Sequence, residues 1–355
     1  MIKGARFPGR YLQGPGILSC LGDEMAAFAS RATVILDRGV FDSLGAAVSA
    51  AAAGACSAEV VRHGGECSQD EIDRVAAVAR AGNAGVIVGI GGGKTLDTAK
   101  AAAAQLHLPV IVVPTIASSD APCSALAVIY HVDGSVSHDL FLPRNPDLVL
   151  VDTSIIAQAP TRFLIAGIGD ALATFYEADA CRASGAHNCL GMQGLDVAHV
   201  IARACRDTIF TFGARAVAEC DNHVAGEALE RVIEANILLS GIGFESGGVA
   251  SAHAVHHGLC ELDDVHGHLH GEKVAIGVLA GLKLRGDDAE YARVLAFCQS
   301  VRLPTRLADV GIATVTDTKL RIVAERACRP GEIIHNEPIA VTPDMVVDAL
   351  RGLAA

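Results

Sequence analysis

The chain has no tryptophan, and aromatic residues make up only 4% of its 355 positions. An interior so poor in rings, in a chain that is 51% hydrophobic, has to be filled by Ala, Val, Leu and Ile, the composition of helices packed closely on each other or on a buried parallel sheet. Positive charge is also short. Lys and Arg number 28 against 40 Asp and Glu, a net charge of -12 that disfavours nucleic acid and anionic membrane surfaces as partners and leaves room for a small neutral ligand. Paired CxxC motifs are missing: eleven cysteines are scattered singly, and MIKGARFPGRYLQGPG contains no apolar run that could act as an export signal. These cysteines are expected to be reduced packing residues of a cytoplasmic protein, which disfavours a cysteine-ligated structural zinc. An uninterrupted membrane-length apolar stretch is missing as well. The window from Ala101 to Ser119 lacks Asp, Glu, Lys and Arg, but Pro109 and Pro114 break it into a helix end and a buried strand. At this length two domains of ordinary size are expected.

Histidine, in contrast, is concentrated. Six of the fourteen, His253, His256, His257, His266, His268 and His270, fall within HAVHHGLCELDDVHGHLH. Imidazole is the commonest zinc ligand and also suits iron, and His253 with His256 or His257 would share one helix face. The plainer alternative is a polar helix and loop whose histidines are solvated or hydrogen-bonded. Two histidines do not complete a metal site, so a third ligand is sought elsewhere.

In chain order, ATVIL (residues 32–36) ends at Asp37, where a strand's carboxyl end would bring an acid to an adenosine ribose and favour NAD over NADP. An Asp there is equally well a turn residue, and Arg38 dilutes its charge. Ser68-Gln-Asp-Glu71 has the pattern of a capping box opening a helix through about Ala81. GVIVGIGGGKTLDTAK, from Gly85, reads strand, glycine turn, helix: Gly89, Gly91, Gly92 and Gly93 allow close approach of an anion, and the helix starting near Lys94 aims its N-H groups at the same place. It fits neither the Walker A spacing, which needs Gly at Val88, nor GxGxxG, which needs Gly at Lys94. A pyrophosphate turn of another type remains, against a merely tight strand-helix turn. A further buried strand begins at Leu108, and the loop after it offers Thr115, Ser118, Asp120 and Ser124 as lining for a cofactor or substrate, or simply as turn builders. His131–Gly134 is expected to be a hairpin turn, and PDLVLVD (residues 146–152) the last clear strand.

The domain boundary is placed near Pro160. Beyond it the pattern is almost entirely helical, with no comparable strand. GIGDALATFYEADAC, residues 167–181, is expected to open a helix with Asp170 the only carboxylate in its first turns. A carboxylate among Gly, Ile, Ala and Leu is costly unless paired or bound to a cation, which makes Asp170 the third candidate ligand; a helix cap is the alternative. Further helices are expected over Ala225–Phe244, Val249–Leu262 and from Gly271. Asp170, His253 and His270 then come from different helices and leave coordination positions open, as at a catalytic metal.

The segments GGGKTLDTAKA, PTIASSDAPCSAL, FLPRNPDLVLVD, GIGDALATFYEA, LLSGIGFESGG, HAVHHG, HGEKVAIG and IHN, running in this order over nearly the whole chain, resemble the signatures of the glycerol dehydrogenases, a branch of the iron-containing or group III alcohol dehydrogenase superfamily. The resemblance implies an N-terminal nucleotide-binding α/β domain (residues 1–160) and an all-α metal-binding domain (161–355), as in the dehydroquinate synthase-like architecture. It implies metal ligands Asp170, His253 and His270, NAD contacts at Asp37, Gly92, Gly93, Lys94, Asp97, Thr115, Ser118, Ser124, Leu126 and Tyr130, and a polyol contact at Asp120 beside His253. It also implies zinc, with iron as the alternative, and a homo-oligomer, often an octamer. Thr174 stands where the iron-binding members carry a further histidine, His257 where this branch commonly has Asn, and Cys123 where Thr is usual. The chain also stops at Ala355, short of the family's usual end.

The expected reaction is oxidation of glycerol or a related vicinal diol to dihydroxyacetone or its analogue, and the reverse, with Asp120, His257 or a water as proton relay. Two alternatives are a zinc- and NAD-dependent lyase of dehydroquinate synthase type and a silent cofactor-binding homologue. The lyase and a glycerol-1-phosphate dehydrogenase need basic groups for a phosphate, and His253–Gly271 has neither Lys nor Arg.

Overall fold

The computed structural model describes residues 2–54, 56–131 and 134–354. The described strands are β1 (Lys3–Gly4), β2 (Tyr11–Gly14), β3 (Arg31–Leu36), β4 (Ser57–Arg62), β5 (Val86–Gly91), β6 (Val110–Pro114), β7 (Leu126–Tyr130), β8 (Val136–Phe141), β9 (Leu148–Asp152) and β10 (Gln193–Gly194). Six of them form one parallel sheet in the order β2-β9-β6-β5-β3-β4. Its central strands β5, β6 and β9 are buried throughout because both faces are covered, while the edge strand β4 is of mixed polarity. On β5, Val86, Val88 and Ile90 enter one core and Ile87 the other; on β9, Leu148 and Leu150 alternate in the same way with Val149 and Val151. The helices Leu21–Ala26 and Phe41–Ala51 contribute Met25 and Val48 to the first core. The second takes Val75 and Leu96 from the helices Gln69–Ala81 and Gly93–Leu106 and continues without a break into the helical region through Ile168 and Ile237.

The chain leaves β3 for β4 at the sheet edge and leaves β5 for β6 on the opposite side. The carboxyl ends of β3 and β5 therefore form the topological switch point, where open α/β sheets bind ligands. After β9 the elements among the described residues are helices apart from the two-residue β10, the longest being Thr161–Ser184 and Asp196–Asp221.

Several local expectations need correction. Ser68 does cap its helix, accepting from the Glu71 amide, but Glu71 turns its carboxylate to the Gly64 amide and Arg74 and closes no reciprocal box. The helix expected from Gly167 begins at Thr161, which puts Asp170 well inside it. The expected helix Ala225–Phe244 is interrupted by a π turn, Ala235–Leu239. A strand does occur beyond Thr161: β10, two residues long, pairs parallel with β1 and ties the first residues to the helical region. The centre of the expected turn at His131–Gly134, residues 132 and 133, lies outside the described residues, while β7 and β8 on either side pair antiparallel.

Candidate active site

The glycine turn lies at the switch point. A Cβ on Gly89 would come within 2.6 Å of the Ala99 Cβ, so this glycine serves close packing of helix on strand. One on Gly91 would come within 2.5 Å of the Asp37 Cβ, so here the glycine admits the acid at the end of β3. Gly92 is the N-cap of the helix Gly93–Leu106, and Gly93 has open space where a side chain would be. The anion-accepting surface is thus narrower than four glycines suggested: Gly92, Gly93 and the helix N-terminus behind them.

Asp37 is held at this turn by two hydrogen bonds, accepting from the Gly39 amide at 2.7 Å and the Thr95 hydroxyl at 2.7 Å. Arg38 reaches away to the Gly64 carbonyl at 3.3 Å and forms no pair with it. Thr115 is buried and donates its amide to the Gly91 carbonyl at 3.0 Å. Lys94 pairs with Glu66 and lies 4.7 Å from the centre of the Tyr130 ring. Ser118 is half-buried in the loop after β6.

Asp97 is used differently from expectation. Its carboxylate is buried, accepts from the Val128 amide at 3.0 Å and pairs with buried Lys100 at 2.8 Å. Lys100 in turn donates to the carbonyls of Ala121, Ser124 and Leu126. This pair shapes the segment that carries Ser124 and Leu126, and Asp97 itself points inward.

A second group converges beside the loop after β6. Single ligand atoms of Asp170, His253 and His270 lie within 4.8 Å of one another. Asp170 comes from the helix Thr161–Ser184, His253 from Ser251–Leu259 and His270 from the first position of His270–Arg285. Both rings present Nε2 to Asp170 Oδ1, His270 at 3.0 Å and His253 at 3.5 Å. Glycines allow the helices to approach: a Cβ on Gly271 would lie 1.8 Å from the Ala166 carbonyl oxygen, and one on Gly169 2.4 Å from that of Gly271.

Burial alone would raise the Asp170 pKa, but the two imidazoles beside it reverse this and hold it below the usual carboxylate range. Burial would lower His253, and the charges of Glu177 and Asp170 override it, lifting the ring well above its ordinary value. A buried carboxylate oxygen and two imidazole nitrogens, already drawn together by charge, fit a divalent ion of the zinc or iron kind.

Asp120 joins this group from the loop. Its amide donates to Asp170 Oδ2 at 3.3 Å, and its carboxylate accepts from the Ser240 hydroxyl at 2.8 Å. Ser240 is bonded at 2.8 Å to Thr174, and both hydroxyls are buried. His257 does not join the group. It is half-buried and pairs with Glu332 at 3.1 Å instead. Cys123 is buried, with its thiol raised by that burial.

Sequence reasoning missed Glu177. It is buried, lies 2.6 Å from His253 Nδ1, and accepts from the amides of Ala250 and His253 at 2.8 and 2.9 Å. Such a carboxylate behind a ligating imidazole fixes its tautomer and orientation. Its signal was available: Glu177 is two turns after Asp170 on the same helix face.

The profile of the iron-containing alcohol dehydrogenase family matches residues 8–153. Glycerol dehydrogenase of Thermotoga maritima is 49% identical over 353 residues, covering 99% of this chain and 97% of that one. Among solved structures, a probable glycerol dehydrogenase of Sinorhizobium meliloti 1021 superposes with a TM-score of 0.93 at 44% identity, covering 99% of this chain and 98% of that one. Glycerol dehydrogenase of Schizosaccharomyces pombe gives 0.95 at 36%, covering 99% and 90%. A likeness that spans sheet and helices together, at these identities, leaves one assignment: the chain belongs to the iron-containing alcohol dehydrogenase family, on its glycerol dehydrogenase side.

Proposed function

We propose that this chain catalyses the NAD-linked oxidation of glycerol, or a closely related vicinal diol, to the corresponding ketone, and the reverse reduction. The observation that carries the reading is the convergence of Asp170, His253 and His270 beside Asp120. These three residues would hold the metal, zinc in the first place because Thr174 offers no fourth imidazole, with iron as the alternative. When bound, a divalent ion supplies Lewis acidity to the hydroxyl being oxidised. NAD, the cofactor common to this reading, supplies the hydride acceptor.

The remaining chemistry belongs to the chain. Gly92, Gly93 and the helix they open receive the pyrophosphate, and Asp37 receives the adenosine ribose and disfavours a 2'-phosphate. Thr115, Ser118, Ser124, Leu126 and Tyr130 follow along the cofactor path. Asp120, fixed by Ser240, takes a hydrogen bond from a substrate hydroxyl beside His253 and is the carboxylate in place to hold the released proton. The same reading divides the chain near Pro160 and expects a cytoplasmic homo-oligomer.

The lyase reading has less support. Lys273, the nearest base in sequence, donates to Cys260 at 3.3 Å. Replacing Asp170 by Asn tests the proposal: NAD binding should be retained and turnover lost, and activity surviving in Asp170→Asn would overturn the ligand set.

A further inference from the structure

His253 and His270 present the same nitrogen, Nε2, to Asp170, yet their far sides differ. An imidazole that ligates through Nε2 carries its proton on Nδ1 and needs an acceptor there. For His253 that acceptor is the Glu177 carboxylate. For His270 the group at Nδ1 is another imidazole, His256 Nε2, at 3.2 Å, with ring centres 4.4 Å apart and planes at 72°.

We propose that His256 is the positioning residue for His270, accepting from its Nδ1 and so fixing the tautomer and ring orientation that offer Nε2 to a divalent ion. This rests on the reading that Asp170, His253 and His270 hold that ion. His256 is one helical turn after His253, so the helix Ser251–Leu259 supplies one ligand directly and supports the other. The ring is itself held in place. Its Nε2 lies 3.4 Å from the Cys260 thiol, and Cys260 is held by Lys273. The neighbouring His257 is turned to Glu332 and leaves the position to His256.

The proton count makes the assignment specific. His256 Nδ1 is buried with no hydrogen-bond partner among the described residues. Left to itself, the ring would keep its proton on Nε2 and leave the orphaned site a lone pair. Once His270 ligates through Nε2, however, a proton on His256 Nε2 would face the proton on His270 Nδ1. Loading the ion therefore sets His256 in its Nδ1-H form, with Nε2 free to accept.

The test is the zinc affinity of the chelator-stripped full chain, measured by competition with a chromogenic chelator. His256→Leu should bind zinc about 10- to 100-fold more weakly, the range for loss of such a support. His256→Gln, whose carbonyl oxygen can accept from His270, should recover most of the affinity and restore the visible spectrum of the cobalt-loaded protein. A folded His256→Leu with wild-type zinc affinity would overturn the proposal. Should that variant not fold, nitrogen resonances of 15N-histidine-labelled wild-type protein decide: Nδ1-H on His256 with zinc bound supports it, and Nε2-H overturns it. Wild-type zinc affinity in Asp170→Asn would instead overturn the underlying site.

Discussion

At the scale of single residues, Glu177 and Asp170 share one helix and divide one task. Asp170 faces the two Nε2 atoms, and Glu177 stands behind His253, taking three hydrogen bonds in a buried position. Glu177→Gln keeps the shape and removes the charge, and zinc affinity in that variant should fall about 10- to 100-fold while NAD binding is unchanged. An unaltered affinity would show that Glu177 only ties helices together. Asp170 could be found from the sequence because a carboxylate within an apolar helical run needs a partner, and its place well inside the helix removes the alternative of a cap. Glu177 is legible only once Asp170 is taken as inward-facing, for it lies two turns on along the same face, whereas Asp179, two residues further, is turned out and exposed. The adjacent His256 and His257 posed the same difficulty. Helix phase sends one to His270 and the other to Glu332, and only packing sets that phase.

Among the elements, the loop between β6 and β7 depends on a buried ion pair contributed by the helix after the glycine turn. Lys100 gathers the carbonyls of Ala121 and Ser124 in that loop and of Leu126 at the start of β7, and Asp97 holds the Val128 amide. Lys100→Met leaves Asp97 buried without its partner and should cost about 3–5 kcal/mol, read as a lower urea midpoint of the folded protein. A midpoint within error of wild type would contradict this role.

A second link joins the turn Ile333–Asn336 to the helix Ser251–Leu259 through Glu332. Burial would raise its pKa, but hydrogen bonds from His257 and Arg326 overcome this and bring it down to about 2 from the ordinary 4.5. A depressed carboxylate contributes stability that is complete above its unfolded pKa and is lost as pH falls toward the folded one. Between pH 4.5 and 2, therefore, stability should fall more steeply in wild type than in Glu332→Gln, as measured by urea unfolding at each pH. Equal slopes would refute the link. Strongly apolar strands such as β5, β6 and β9 were legible, whereas β4 is an edge strand of mixed polarity, SAEVVR, and β2 is four residues long, so neither carries a usable period. The π turn left no mark in the sequence because it changes helix geometry without changing the apolar pattern.

For the whole molecule, the arrangement follows from where the sheet changes direction. The crossing at β3 and β5 brings Asp37, Gly92 and Gly93 together, and the loop leaving β6 carries Asp120 across to the helices that hold Asp170, His253 and His270. None of that juxtaposition is local: Asp120 and Asp170 are 50 residues apart and His270 a further 100, so spacing alone did not join them. The cost of an unpaired carboxylate in an apolar helix joined Asp170 to the histidines, resemblance to a family added Asp120, and the charge balance of -12 with a segment free of Lys and Arg between His253 and Gly271 supplied the preference for a neutral polyol over a phosphorylated substrate. The most direct test is NADH formation from glycerol and a panel of vicinal diols, before and after a chelator removes the metal and again after zinc or iron is restored. Turnover of at least one diol that disappears with the metal and returns with it is the predicted result. Absence of turnover with every diol, in protein that binds both NAD and metal, would contradict it.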